Sequence, residues 1–399
     1  HILIIGGGIG GLALAQGLKK HGISFHVYER DSLDDFRAQG YRIRIAGPGA
    51  DALEYLFDEE TMRLYDLISA ETHVGPNPEI DAETATLRLP RNPRPNAGGE
   101  LGGAGPSPRR LPGTIDRTML RAVLLRGITD HVSYGKNLQC YEIKDGGVTA
   151  SFSDGSKAYG TLLVGADGKN SHVRRQFLPN HRPLDTDGRC IYGKTLLTPH
   201  LRHILDPMTL GNMCAIKDRS RSHFVNTICE AVVFPRRTEM RAEGFDCPDD
   251  YMYWVMSAQP AVLGLPSSDD ASIPHLTSRQ SEALALSIVE KWHPSVKCIV
   301  SEQLPGSTAL LTVNAFAPEL PEWTPNPHVT LLGDAVHLMG PTAGSGAVTA
   351  LRDCHVLCKQ LVEAGVSKES IGRYEGEMRQ YARKALELSW SMGRHIFGQ

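Results

Sequence analysis

A glycine cluster, Gly6-Gly7-Gly8-Ile9-Gly10-Gly11, separates the short apolar run His1 to Ile5 from a helix-patterned stretch, Leu12 to His21. That order constrains the chain to a strand, a tight turn and a helix packed closely against the strand. Gly22 to Arg30 then reads as a turn and a second strand ending in an acid, Glu29, which completes a βαβ unit. Gly6, Gly8 and Gly11 occupy the G-x-G-x-x-G positions. Without Cβ atoms there, a pyrophosphate can reach the backbone N–H groups and the positive end of the helix. An acid at the end of the second strand accepts hydrogen bonds from ribose hydroxyls and disfavours a phosphate on that ribose, which selects FAD or NAD over NADP.

Two later segments repeat the logic. Residues 162–175 (LLVGADGKNSHVRR) run from an apolar strand into Asp167 and Gly168 and then a helix start. Residues 329–353 (VTLLGDAVHLMGPTAGSGAVTALRD) give a strand, Gly333-Asp334, a Pro/Gly loop and a helix. At both places a carboxylate follows a buried strand, where it can hold ribitol or ribose hydroxyls. After Pro341, the loop Thr342-Ala343-Gly344-Ser345-Gly346 offers backbone N–H groups to an anionic ring edge.

With these three motifs in order, the chain resembles the FAD-dependent aromatic hydroxylases, the single-component flavoprotein monooxygenases of the para-hydroxybenzoate hydroxylase fold. Arg117, Leu120 and Leu124 are similar to the family helix whose arginine contacts FAD, and the stretches GSGAVTALRD and YEGEMRQYARKALELS resemble fungal secondary-metabolism members. The fold this implies is α/β: a Rossmann-like FAD-binding domain of the para-hydroxybenzoate hydroxylase and glutathione reductase type, with an inserted antiparallel-sheet substrate domain. The expected division puts residues 1–70, 112–178 and 307–399 in the FAD-binding domain, and 71–111 and 179–306 in the substrate domain.

The resemblance implies that Gly6, Gly8, Gly10, Gly11, Glu29 and Arg30 hold the adenosine and pyrophosphate, with Arg117 along the same cofactor. Asp167 and Gly168 would meet the diphosphate or adenosine side, and Gly333 and Asp334 the ribitol or pyrophosphate. Pro341, Gly344, Ser345, Gly346 and Ala347 would face the isoalloxazine. Arg42 and Arg44, in GYRIRIAGPGADAL, have the same strand parity and so share a face; an arginine there is expected to meet the flavin or its phosphates. One departure stands out: Ala347-Val348 replaces the usual Asn, and Ser345 replaces a Gln between the two glycines. Backbone donors survive both changes.

The implied reaction uses NAD(P)H as a transient co-substrate and O2 to insert one oxygen atom into a hydrophobic aromatic or polycyclic substrate, through a hydroperoxide at the flavin 4a carbon. The cofactor carries the hard chemistry. Two alternatives stay open: an FAD-dependent oxidase or dehydrogenase, and a non-catalytic FAD- or substrate-binding protein. A flavin-dependent halogenase would carry a W-x-W-x-I-P segment, which YMYWVMSAQP does not match.

Residues 90–113 hold six prolines and six glycines, which predicts a long loop too poor in apolar side chains to pack. Strand-like runs follow at 190–198, 223–234 and 251–258, and helical periodicity returns at 281–294. Along YMYWVMSA, alternation puts Met252, Trp254 and Met256 on one face and Tyr251, Tyr253 and Val255 on the other. Trp254, Met256 and His223 are the expected substrate contacts. Lys194, with Arg42 and Tyr192, is the candidate catalytic set, because a cation near the flavin stabilises a phenolate or polarises a peroxide. His337 reads as structural or cofactor-adjacent, and Cys354 with Cys358 as core at helical spacing.

With 42 basic and 45 acidic residues the net charge is −3, which gives no global attraction to nucleic acid or an anionic membrane. The expected partner is a small aromatic molecule. Eight scattered cysteines without a C-x-x-C pair form neither a disulfide framework nor a zinc site, so no metal is expected and a reducing, cytoplasmic setting fits. No apolar run reaches the roughly 18 residues of a membrane span. The chain opens at His1 inside a strand, without a Met, so residues of the natural protein are expected to precede it.

Overall fold

The computed structural model describes residues 1–32, 42–73, 75, 77–90, 112–219, 225–266 and 276–397. Most of the Pro/Gly-rich loop and His223 lie outside the described residues. The strands are β1 (Ile2–Ile5), β2 (Phe25–Tyr28), β3 (Arg42–Ile45), β4 (Glu79–Asp81), β5 (Leu87–Arg88) and β6 (Gly113–Asp116). They continue with β7 (Val132–Ser133), β8 (Leu138–Lys144), β9 (Gly147–Phe152), β10 (Lys157–Gly160), β11 (Leu162–Gly165) and β12 (Leu184–Leu196). The last are β13 (Cys214–Asp218), β14 (Val225–Val232), β15 (Tyr251–Ala258), β16 (Ala309–Ala315) and β17 (Val329–Leu331).

Five strands form a parallel sheet in the order β17-β11-β1-β2-β7. Every residue of β1, β11 and β17 is buried. Continuous apolar runs of this kind are what a parallel sheet covered on both faces demands. The helix Ile9–Lys20 crosses from β1 to β2, burying Gly11 to Leu18 and carrying Lys19 and Lys20 in its last turn, where cations oppose the helix dipole. A three-stranded sheet, β10-β9-β8, and a two-stranded ribbon, β3-β6, flank this layer.

The second large sheet has seven strands in the order β16-β12-β15-β14-β13-β4-β5 and is antiparallel apart from the β13–β4 pair. Its two faces differ. On one, Met252, Trp254 and Met256 join a core with the helices Ser278–Ile288 and Pro294–Ser301. Gly193 lies opposite Trp254 because the indole occupies its side-chain space: a Cβ there would come within 2.2 Å of the ring. On the other face, Lys194, Tyr253 and Glu230 lie in register across β12, β15 and β14, with Val255, Ile228 and Ala215 beside them, all but Glu230 half-buried.

The helix Lys368–Phe397 spans both regions. The Tyr374 hydroxyl donates to the Leu331 carbonyl at 2.7 Å beside β17. Ser389 Oγ donates to the Gly340 carbonyl, and the Phe397 ring fills the space over Gly188 in β12. Tyr374, Met378 and Tyr381 are buried on one side of it. Among the described residues, no helix is long and apolar enough to cross a membrane.

Candidate functional site

The glycine turn at the C-terminal end of β1 divides its tasks among three residues. Gly6 has φ +111°, and a Cβ there would meet the Ala166 carbonyl at 2.4 Å, so the turn depends on the close approach of the segment after β11. A Cβ on Gly11 would lie 2.0 Å from the Gly6 carbonyl, which locks the first helical turn onto the strand. Gly8 faces open space, and the helix that follows it has neither a side-chain cap nor an acid in its first turn. Its leading N–H groups are therefore available to an anion.

A cleft of about 240 Å³ opens in front of these donors. It is smaller than a pocket for a whole drug-sized ligand and suits one half of a dinucleotide. Of the residues expected at the cofactor, Gly6, Gly8, Glu29, Arg30, Arg117, Asp167 and Gly168 line it, while Gly10 and Gly11 pack behind. Arg121 and Lys136 also line it and were not anticipated. Arg121 follows Arg117 by one helical turn, a same-face spacing visible in the sequence; Lys136 carries no such signal.

The acids around the cleft are held in specific ways. Glu29 accepts from the Gly7 N–H at 2.6 Å and the Asp31 N–H at 2.9 Å, so it braces the turn as well as facing the cleft. Asp167 Oδ2 accepts from the His172 N–H at 2.7 Å, whereas its Oδ1 is buried without a partner. Burial pushes the Asp167 carboxyl up, against the pull of its hydrogen bonds.

Gly333, φ +59°, turns the chain after β17 and presents Asp334. The Asp334 side chain is reachable by solvent on one side and enclosed by protein on the others. That enclosure raises its pKa, while His337 and Arg117 pull it down. Asp353, which the sequence reading missed, lies beneath. Its Oδ2 accepts from the Gly333 N–H at 2.7 Å and lies 2.6 Å from His337 Nε2, while Tyr381 donates to Oδ1 at 2.7 Å. The signal was an acid amid apolar residues in TALRDCHVLC. Burial pulls the His337 imidazole down, but the charge and hydrogen bond of Asp353, helped by Asp334, leave its pKa raised.

The loop after His337 forms a 3-10 turn, Pro341–Ala343, with Gly344 at φ +61°, and leads into the helix Gly346–Ala364, which has no side-chain cap. The backbone donors expected at Ser345, Gly346 and Ala347 are thus at a helix start. Val348 faces Gly49, where a Cβ would approach its methyls to 3.2 Å. An apolar contact takes the place of the family's Asn.

Several expected roles are revised by the geometry. Trp254 and Met256 are 0% and 1% exposed in the second core, so the open face of that sheet is the opposite one, bearing Tyr253 and Val255. Lys194 Nζ is 2.9 Å from Asp116 Oδ2, which also accepts from the Tyr251 hydroxyl at 2.7 Å. The lysine is thereby committed to an ion pair rather than left as a free cation. Asp116 also caps the helix Arg117–Leu125 through its other oxygen, so β12 and β15 are tied to the start of the helix that carries Arg117. Tyr192 is buried on the same face as Lys194. Arg42 and Arg44 do share a face, but they reach Glu230 of β14 and not the cleft.

Residues 4–51 match an NAD(P)-binding Rossmann-like domain family, and residues 317–389 match an FAD-binding domain family. The whole chain is 34% identical to a dual O-methyltransferase/FAD-dependent monooxygenase of Cercospora beticola and spans 46% of its length, about half. It is 27% identical over 99% of its own length and 94% of the relative's to an FAD-dependent monooxygenase of Trichoderma harzianum. Among solved structures, a candidate FAD-containing monooxygenase of Photorhabdus luminescens superposes with a TM-score of 0.79 at 29% identity, covering 99% of this chain and 98% of the other.

Proposed function

The chain is a relative of the fungal FAD-dependent monooxygenases and has the Rossmann-like FAD-binding fold of such enzymes, and on that premise we propose that it inserts one atom of O2 into an aromatic or polycyclic substrate at the expense of NAD(P)H. One observation carries the reading: an uncapped helix start behind Gly8, facing a cleft lined by Arg30, Arg117, Arg121 and Lys136. That arrangement suits a diphosphate. The residues present also fit the rest of FAD, since the partnerless Asp167 Oδ1 and the open side of Asp334 are acceptors for hydroxyls.

In this reading Gly8 and the helix behind it receive the diphosphate, Glu29 the adenosine ribose, and Asp334 the ribitol. The N–H groups at the start of Gly346–Ala364 meet the flavin ring edge. FAD, when bound, supplies the electron and oxygen transfer. The described parts of 1–70, 112–178 and 316–399 hold the cofactor, and those of 71–111 and 179–315 supply the wall against which the substrate lies; β16 (Ala309–Ala315) pairs with β12 at the edge of that wall, so the boundary expected at 307 falls after this strand instead. The half-open face of the seven-stranded sheet is that wall, and its apolar members Ala215, Ile228 and Val255 keep water from the reacting carbon.

The test is an absorbance spectrum of the purified protein, then NADPH under air with phenolic and polycyclic compounds. Bound flavin and a product sixteen mass units heavier are the expected results. Bound flavin with peroxide as the sole product would mark an oxidase instead. Asp334→Ala should lose FAD, because buried hydroxyls of the cofactor would be left unpaired; a fully yellow variant would remove Asp334 from the site.

A further inference from the structure

Two guanidinium groups from one short strand converge on a single buried carboxylate. Arg42 and Arg44 of β3 are 12% and 10% exposed, and Glu230 between them is 0% exposed. The Nε atoms of both arginines are buried without hydrogen-bond partners. Lys194 and Asp116 form the neighbouring pair, so among the described residues of this cluster three cations meet two carboxylates. The other titratable groups around it are Tyr251, Tyr253 and His73, with the Cys229 thiol beside Glu230 and the Cys247 thiol within electrostatic reach of Asp116. Arginine does not shed its proton in a protein, and a surplus charge in a water-poor site favours an anion. Burial holds the Arg44 pKa below its ordinary value, Glu230 opposing and Arg42 adding to the effect.

The cluster also has a direction. It ends the half-open face on which Ile228, Val255 and Ala215 continue from Glu230 and Tyr253. A ligand lying on that face has an apolar bed along its length and cations at one end.

We propose that Arg42 and Arg44, gathered by Glu230, bind an anionic oxygen of the substrate, the ionised hydroxyl of an acidic phenol or enol, and thereby fix which end of the ring system points away from the apolar bed. The proposal rests on the reading of the chain as a monooxygenase with its substrate on this face. Glu230 acts as a positioning residue: it holds the two arginines together and limits the surplus to one charge. Its loss therefore has the opposite electrostatic sign to the loss of an arginine.

The experiment uses the FAD-loaded protein and 4-nitrophenol, whose anion is yellow, with 4-nitroanisole as the uncharged counterpart. The bound phenol should ionise at least one pH unit below its value in water, and the ether should bind at least tenfold more weakly. Arg44→Met should remove most of that shift and Arg44→Lys should retain part of it, whereas Glu230→Gln should enlarge it. Arg42→Met replaces Arg44→Met if the latter does not fold. A bound phenol with an unshifted pKa, equal binding of the ether, a loss of the shift in Glu230→Gln, or no phenol binding to the FAD-loaded protein would overturn the proposal. Failure of the parent reading is separate and visible earlier, as absent flavin absorbance before any phenol is added.

Discussion

The two large sheets place function in different parts of their strands. In the parallel sheet, helices and neighbouring elements bury both faces of β1, β11 and β17, so only the strand ends are free to meet a ligand. Gly6 to Gly8, Asp167 and Asp334 all follow the C-terminal end of a strand, as ligand sites of open α/β sheets do. In the seven-stranded sheet one face is a core and the other stays half-open. There the working residues sit in mid-strand, and side-chain charge replaces backbone donors. A covered sheet thus works through its turns and a half-covered one through its surface.

The largest test of this contrast is Trp254→Ala. If that face is core, truncation leaves a cavity and costs about 3–5 kcal/mol, measured by urea unfolding, while the folded protein keeps its FAD affinity. Unchanged stability would place Trp254 on the ligand side and dissolve the contrast. Next is Asp116→Asn, which keeps a helix cap but removes the charge from Lys194 and Tyr251. Breaking a largely buried pair, with one partner 16% exposed, should cost about 2 kcal/mol. A loss no larger than a surface substitution would mean the tie between sheet and helix is slack.

Glu29→Ala probes the strand-end half. FAD binding should weaken about tenfold, or about 1.4 kcal/mol, by flavin fluorescence titration; an unchanged dissociation constant would leave Glu29 as a brace for Gly7 alone. The smallest effect concerns Glu375, which accepts from Trp323 and from Thr330 of β17. Burial lifts its pKa to about 7, against an ordinary 4.5. Its neutral form is favoured by the fold, so its contribution is complete below pH 4.5 and is lost as the pH rises through 7. Glu375→Gln should remove that decline, which is on the order of 1 kcal/mol per pH unit between pH 5 and 7, in a series of thermal melts. An identical pH slope in both proteins would assign the decline to other groups.

The same contrast explains what could be read from the sequence. The glycine turn was legible because part of its constraint is local: Gly11 is fixed by the Gly6 carbonyl five residues away, and Gly6 by its own φ of +111°, although the Ala166 carbonyl that also excludes a Cβ at Gly6 comes from the distant segment after β11. The Asp-Gly and Gly-Asp segments were legible for the same reason, since each follows a continuous apolar strand. The open face of β15 was not, because Met252, Trp254 and Met256 are as apolar as Tyr251, Tyr253 and Val255. Which set is covered depends on helices at Ser278–Ile288 and Pro294–Ser301 that close over the sheet. The Lys194–Asp116 pair joins residues far apart in sequence and has no local signature. Glu230 did have one, an acid inside the apolar strand CEAVVF, which parity alone could not connect to Arg42 and Arg44.

The strand order also sets a timetable. Ile2 pairs with Leu162 through β11, and β11 in turn pairs with Val329 through β17. At a synthesis rate of about 5–20 residues per second, β1 waits roughly ten to thirty seconds for its first partner on that side, and β17 arrives about as long again after that. Non-local closure of this kind is slow. During that wait the apolar edge of β1 is a surface other chains could pair with, so the yield of this protein in a cell should depend on chaperones that shield the nascent chain.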